Sequence, residues 1–316
     1  MKTYLVRRVL QSIPTLLLVT VVTFSITMLL PGDPALAFLG EAAAMDKVAY
    51  EAMRRELGLD QPVPVQYALW LGRTLQGDLG RSVRTREPVW EALKARFPVT
   101  LQLTVMAMAI GLAVAVPVGI ISAIRPNSRL DMVGTIAAVS GLAIPSFWLG
   151  IMLIYVFALW LGWLPPSGYA APSTGLGQNL QLMLLPALAL GTEQAAVIMR
   201  QVRSALLEVL HQEYIVTAWA KGLREAPIVA RHALRNALIP VVTIIGLQTG
   251  RLFGGAVVVE TIFALPGLGR LAADSIFFRD FPSLQGVVLI LAVAVFLSNL
   301  LTDVLYSYLD PRIRYA

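Results

Sequence analysis

The sequence predicts an all-α integral membrane protein with six transmembrane helices and both termini in the cytoplasm. Three observations carry this. Long uncharged apolar runs recur along the chain, each able to cross a hydrocarbon core that needs ~20 residues. Only 14% of the residues are charged and the mean hydropathy is +0.72, a balance that favours lipid over water. Lys and Arg gather in the short connections on one side of those runs.

Residues 9–30 carry no charge and form the first predicted span, preceded by Lys2, Arg7 and Arg8. The run is long for a signal-peptide core and ends in Pro31-Gly-Asp-Pro34 with no small-x-small cleavage pattern, so an uncleaved span is expected. Residues 31–96 make an extracytoplasmic segment whose acids and bases balance, with helices expected at 48–58, 65–75 and 88–96. A Pro-rich turn at Gln61-Pro-Val-Pro64 and a tight connector at Asp78-Leu-Gly-Arg-Ser82 part them. This segment fits a structural cap and a contact surface for an external partner equally well. Residues 97–124 form span two. The charge-free stretch between Asp131 and Glu193 holds spans three and four, divided at Leu164-Pro-Pro-Ser-Gly-Tyr169 and Ala171-Pro-Ser-Thr-Gly175. Spans five and six are expected at about 237–259 and 286–306. The chain thus divides into a tail and first span (1–30), the outer segment (31–96) and a transmembrane core (97–316).

Orientation follows from the bases. Arg125, Arg129, Arg200, Arg203, Lys221, Arg224, Arg231, Arg235, Arg312 and Arg314 all fall on the side of the N-terminus, which assigns that side to the cytoplasm. The net charge of +6 is therefore spread along membrane flanks, a poor pattern for a nucleic-acid partner.

Between spans four and five lies a polar amphipathic interruption at about 204–236. Gly222 suits a left-handed C-terminal helix cap, and Pro227 suits the first turn of a second short helix. Val229, Ala233 and Ala237 would share one face with Ala230, Leu234 and Leu238, leaving Arg231 and Arg235 opposite. Two short helices at a sharp turn make a docking surface, too polar to span and too apolar for a loose linker.

Catalytic chemistry is hard to find. The two histidines, His211 and His232, lack metal-ligand spacing, and no Gly-x-x-x-x-Gly-Lys-Ser/Thr loop or Gly-x-Ser-x-Gly elbow occurs. Gly267-Leu-Gly-Arg270 follows no βαβ pattern and is expected in an outer turn. With no cysteine, thiol catalysis, disulfides and iron–sulfur clusters are excluded for this chain.

Short motifs recur along nearly the whole chain: Tyr4-Leu-Val-Arg-Arg8 leading to Gln11-Ser-Ile-Pro14, Leu30-Pro-Gly-Asp-Pro34, Gly77-Asp-Leu-Gly-Arg-Ser82, Ile144-Pro-Ser-Phe-Trp-Leu-Gly150, Leu185-Pro-Ala-Leu188, and Val258-Val-Glu-Thr-Ile-Phe263 with Pro266-Gly-Leu-Gly269. Their order and spacing resemble permeases of ABC importers in the dipeptide, oligopeptide and nickel branch. The Arg-Arg tail and long outer segment look like the first of the two permeases such systems encode. The resemblance implies a type I importer permease fold in a bacterial inner membrane. It implies as partners a second homologous permease, two ATPase subunits that hold ATP and Mg, an extracytoplasmic substrate-binding protein and membrane lipid. No cofactor or metal is implied in this chain. The polar interruption then matches the family's ATPase-coupling loop, with Glu213, Val216, Thr217, Ala218, Lys221, Gly222, Leu223, Arg231 and Pro240 as its candidate residues. Val216 and Thr217 replace the first two residues of the family's general acidic-Ala-Ala opening, and Ile239-Pro240 comes later than its closing Leu-Pro. Peptides or similar small solutes are the implied cargo, nickel or another small solute the alternative within the branch. A gradient-driven secondary transporter would favour paired intramembrane acids, and an intramembrane enzyme would need a catalytic constellation; neither pattern is found.

Two charges interrupt predicted spans, Glu193 in the fourth and Arg251 in the fifth. Either they face an aqueous translocation pathway beside Gln194 and Gln248, or they form a structural ion pair or snorkel to an interface. Pro14, Pro145 and Pro186 could kink their spans, as hinges or as fixed shaping. Gly111, Gly119, Gly134 and Gly141 allow close helix approach.

Overall fold

The computed structural model of the chain describes residues 2–29, 33–39 and 46–309. The motif residues 30–32 and the tail bases Arg312 and Arg314 lie outside them. Among the described residues the chain is helical throughout apart from turns and one isolated bridge, Arg81 to Pro88. Four helices among the described residues are long and apolar enough to cross a membrane, or five if a bent pair counts as one span. The described residues fall into two compact units, one drawn from 6–99 with 266–294 and the other from 2–5 with 100–265 and 295–309.

In the first unit, α1 (Lys2–Leu29) runs through Pro14 and carries the apolar stretch Leu10–Ser25. Then come α2 (Pro34–Leu39), α3 (Lys47–Glu56) and α4 (Val63–Leu75). Asp46 caps α3 by accepting from the amides of Val48 and Ala49. α4 packs on α1 through Phe24, Tyr67 and Trp70, with ring centroids 5.6–6.2 Å apart. The Tyr50 hydroxyl donates to Asp33 at 2.5 Å, which raises the phenol above its ordinary value.

The third helix expected in the outer segment does not stand alone. Residues 89–96 are the first turns of α5 (Val89–Ile124), a single 36-residue helix. Its charges do not stop it, because Glu91 and Lys94 pair at i,i+3 on an exposed face while Val89 and Leu93 are buried. Their partners come from α12 (Leu268–Phe277) and α13 (Phe281–Leu309), where Leu268, Leu271 and Val287 complete one apolar cluster. The Gly267-Leu-Gly-Arg segment is correspondingly the N-terminus of α12 rather than a turn. Asp280 locks this corner. Its carboxylate accepts from the Ser82 hydroxyl at 2.5 Å, the Val83 amide at 3.0 Å and the Ser283 hydroxyl at 2.8 Å.

The second unit is built on α8 (Leu176–Leu210), which passes through Pro186 unbroken. A methyl placed on Gly119 of α5 would sit 2.9 Å from the Met199 carbonyl oxygen, and one on Gly191 would sit 2.8 Å from that of Ala107. Gly134 and Gly141 of α6 (Arg129–Ala143) bring that helix against Met199 and Thr192 in the same way. The third predicted span is not straight. α6 and the helical segment Ser146–Trp160, made of α7 (Ser146–Leu153) and a π-helical turn, meet at 102°. Pro145 causes the break: the residue before a proline is driven out of the helical region, and Ile144 is extended at φ −85°, ψ 118°.

Candidate functional site

Below α8 the chain forms a short helix, α9 (Glu213–Ala220), and a turn. The turn closes α9 by two backbone bonds, Gly222 N–H to the Trp219 carbonyl at 2.9 Å and Leu223 N–H to the Ala218 carbonyl at 3.4 Å. This is a Schellman arrangement, and it requires the positive φ of 78° found at Gly222. A Cβ there would meet nothing within 4 Å, so the demand for glycine is conformational and not steric.

The second expected short helix is absent as a separate element. α10 (Glu225–Pro227) passes through a π-helical segment, Ile228–Ala233, directly into α11 (Leu234–Ile262). The wider turn moves the buried face. Ile228, Val229, Ala233 and Ala237 point inward, while Ala230, expected among them, is exposed beside Arg231. Pro240 lies inside α11 and is exposed.

What holds α9 is one side of it. Ile215 is fully buried and Ala218 nearly so, three residues apart, against Ala123 of α5, Ala205 and Leu206 of α8, and Ile228 and Val229. Burying Ile215 contributes roughly 1.5–3 kcal/mol. Asn236 Nδ2 donates to the Tyr214 hydroxyl at 2.8 Å, tying the start of α9 to α11. The other face is bare. Glu213, Val216, Thr217, Lys221, Gly222 and Leu223 are exposed, as are Tyr214 and Trp219, which sequence reasoning did not single out. Aromatic side chains inside a short polar connection were the signal available for them. Ala218, among the candidate loop residues, faces the anchor.

The four candidate pathway residues separate into two places. Gln248 of α11 donates through Nε2 to Gln194 Oε1 of α8 at 2.8 Å, and both are buried. Gln248 and Arg251 line a cavity of about 420 Å³ with Val197, Gly250, Val295 and Asn299 among its walls. Glu193 is exposed and is not among that cavity's lining residues. Among the described residues, neither Glu193 nor Arg251 forms an ion pair.

Besides Asp280, two acids that sequence reasoning passed over are buried. Asp131 of α6 accepts from Arg203 Nε at 2.6 Å and Nη2 at 2.8 Å, a bidentate pair joining α6 to α8. Glu260 accepts from the Thr100 hydroxyl at 2.6 Å. It was missed because span five was expected to end at Val259. Among the described residues no cluster of His, Cys, Asp and Glu could hold a metal ion.

The chain matches two family descriptions. Residues 115–315 match "Binding-protein-dependent transport system inner membrane component", and residues 1–104 match the N-terminal part of such membrane components. It is 43% identical to the dipeptide transport system permease protein DppB of Alkalihalophilus pseudofirmus, over the full length of both. Identity is 45% to the glutathione transport system permease protein GsiC of Pectobacterium atrosepticum and 43% to the oligopeptide transport system permease protein AppB of Bacillus subtilis, again over all of each chain. The fold is similar to a chain in an inward-facing structure of the MetNI methionine ABC transporter, with a TM-score of 0.58 and 20% identity, covering 69% of this chain and 96% of that one. The family matches and these full-length likenesses place the chain in the family of inner-membrane components of binding-protein-dependent transport systems, as a transport permease and not an enzyme.

Proposed function

We propose that this permease is one of two homologous membrane subunits that enclose a solute path, with two ATPase subunits beneath it and a substrate-binding protein outside. ATP and Mg belong to the ATPases. The cargo is a peptide or similar small solute, the class named for its full-length relatives. In this reading α1 completes a set of six spans with the four long helices and the bent pair, and both termini are cytoplasmic.

The observation that carries the coupling role is the two-sided character of α9. One face is held in the bundle by Ile215 and Ala218, while the large side chains of Tyr214, Val216, Trp219 and Leu223 are exposed at the end that the bases assign to the cytoplasm. A closing ATPase dimer must push on a compact, anchored element, and a mobile loop would absorb the motion. Glu213, Thr217, Lys221 and Arg231 are exposed with those side chains and give the same end polar groups. The cavity between α8, α11 and α13 is the stretch of solute path this chain contributes, with Gln248 and Arg251 on its wall.

Because the chain has no cysteine, Val216→Cys can be placed without a competing thiol of its own. Carrying a thiol-attached photo-crosslinker, it should cross-link to an ATPase subunit in the purified complex, and a second permease should co-purify. Val216→Cys that cross-links only to lipid or to nothing in a turnover-competent complex would overturn the docking assignment.

A further inference from the structure

Arg251 lies deep in α11, ~26 Å along the helix from Leu234 and ~16 Å from Ile262 at 1.5 Å per residue. Neither end is close enough for a side chain to snorkel, and among the described residues no acid pairs with it. A lone guanidinium at that depth is costly unless it meets water or an anion. It borders the cavity of about 420 Å³, a size suited to a small solute. The polar groups on that wall are Arg251, Gln248 and Asn299, with no carboxylate among the lining residues. Gln248 is held by its bond to Gln194, so its amide is fixed in place.

Resting on the pathway reading above, we infer that this cavity is an anion-selecting station. Arg251 receives a carboxylate of the transported solute through its planar fork of donors, while Asn299 offers a neighbouring amide. A guanidinium stays charged at any physiological pH and matches a carboxylate bidentately. One such charge in an open cavity attracts without trapping, as transit requires. Solutes with a free carboxylate are therefore favoured inside the membrane, beyond any selection made by an external protein.

Leu247 is exposed, lines the same cavity and precedes Arg251 by about one helical turn, so Leu247→Cys reports on the local potential. The assay compares its labelling rates, in the full complex, by methanethiosulfonates carrying a sulfonate or a trimethylammonium. Opposite unit charges ~7 Å apart in a hydrated setting change each rate about three-fold in opposite senses, so Arg251→Gln should lower the sulfonate-to-ammonium ratio about ten-fold. Arg251→Lys should keep most of the ratio, and it serves if Arg251→Gln fails to assemble. Trialanine should slow sulfonate labelling more than its C-terminal amide does. A thiol that reacts with both reagents at a ratio Arg251→Gln leaves unchanged would overturn the station and leave the pathway standing. Equal protection by acid and amide would overturn the carboxylate assignment. Reaction with neither reagent in a turnover-competent complex would overturn the pathway reading itself.

Discussion

Gly222→Pro removes the turn that closes α9 and should uncouple the complex while leaving the bundle folded. The native φ of 78° lies far from the −65° that proline imposes. The substitution also deletes the N–H that donates to the Trp219 carbonyl at 2.9 Å and displaces the Leu223 N–H from the Ala218 carbonyl. Each lost bond is worth about 1 kcal/mol, and Lys221 is pushed from its near-helical conformation by the following ring. The combined local cost, ~2–4 kcal/mol, matches or exceeds the ~1.5–3 kcal/mol with which buried Ile215 pins the helix, so α9 should detach. Gly222→Ala costs less, about 1–2 kcal/mol for a Cβ in the left-handed region, and should leave α9 mostly docked. The assay is solute-stimulated ATP hydrolysis and uptake by the reconstituted complex, with assembly checked by gel filtration. Activity should fall from wild type through Gly222→Ala to a near-complete loss in Gly222→Pro. Wild-type coupling in an assembled Gly222→Pro complex would refute the reasoning.

Trp219→Ala should weaken ATPase association by ~2 kcal/mol, about thirty-fold, if this exposed aromatic anchors the interface. The stability of the permease itself should stay within about 0.5 kcal/mol, and a binding titration beside thermal unfolding separates the two. Arg203→Met strands buried Asp131 and should destabilise by ~3 kcal/mol, the low end for a broken buried pair because Arg203 is 30% exposed. Adding Asp131→Leu should recover much of that loss in a thermal double-mutant cycle, and strict additivity would contradict the pairing. Thr85→Cys should label with an impermeant thiol reagent added outside intact cells, while Gln212→Cys should label only after the membrane is opened. Both positions are exposed, unlike the buried Ser82 of the same connector. The reverse pattern would overturn the orientation drawn from the bases.

Local chemistry was legible in the sequence, and long-range chemistry was not. Gly222 announced a left-handed cap because one backbone position demands one residue type. Gly111, Gly119, Gly134 and Gly141 announced close approach, since a Cβ at each would crowd its neighbours. The buried carboxylates had no such local mark. Asp131, Glu260 and Asp280 find partners 72, 160 and 198 residues away, and no periodicity records such a pairing. The π-helical turn at Ile228–Ala233 is a choice of backbone bonds, not of composition, so Ala230 was expected inside and lies outside. Charges at 91–96 looked like the end of a separate outer helix. In the fold they are solvated positions on one long helix, because a helix needs only one apolar face to continue. Of the four candidate pathway residues, Gln248 and Arg251 line a common cavity, while Glu193 does not join them. Glu193 and Gln194 are successive residues of α8, about 100° apart around its axis, and it is Gln194 that reaches Gln248 of α11.

The most direct measurement is solute uptake into proteoliposomes holding this chain, its second permease and the two ATPases, with the substrate-binding protein supplied outside. Uptake should require ATP on the ATPase side, should cease with a non-hydrolysable analogue, and should be indifferent to collapsing the ion gradients. Uptake by this chain alone, driven by an ion gradient without ATP, would contradict the account.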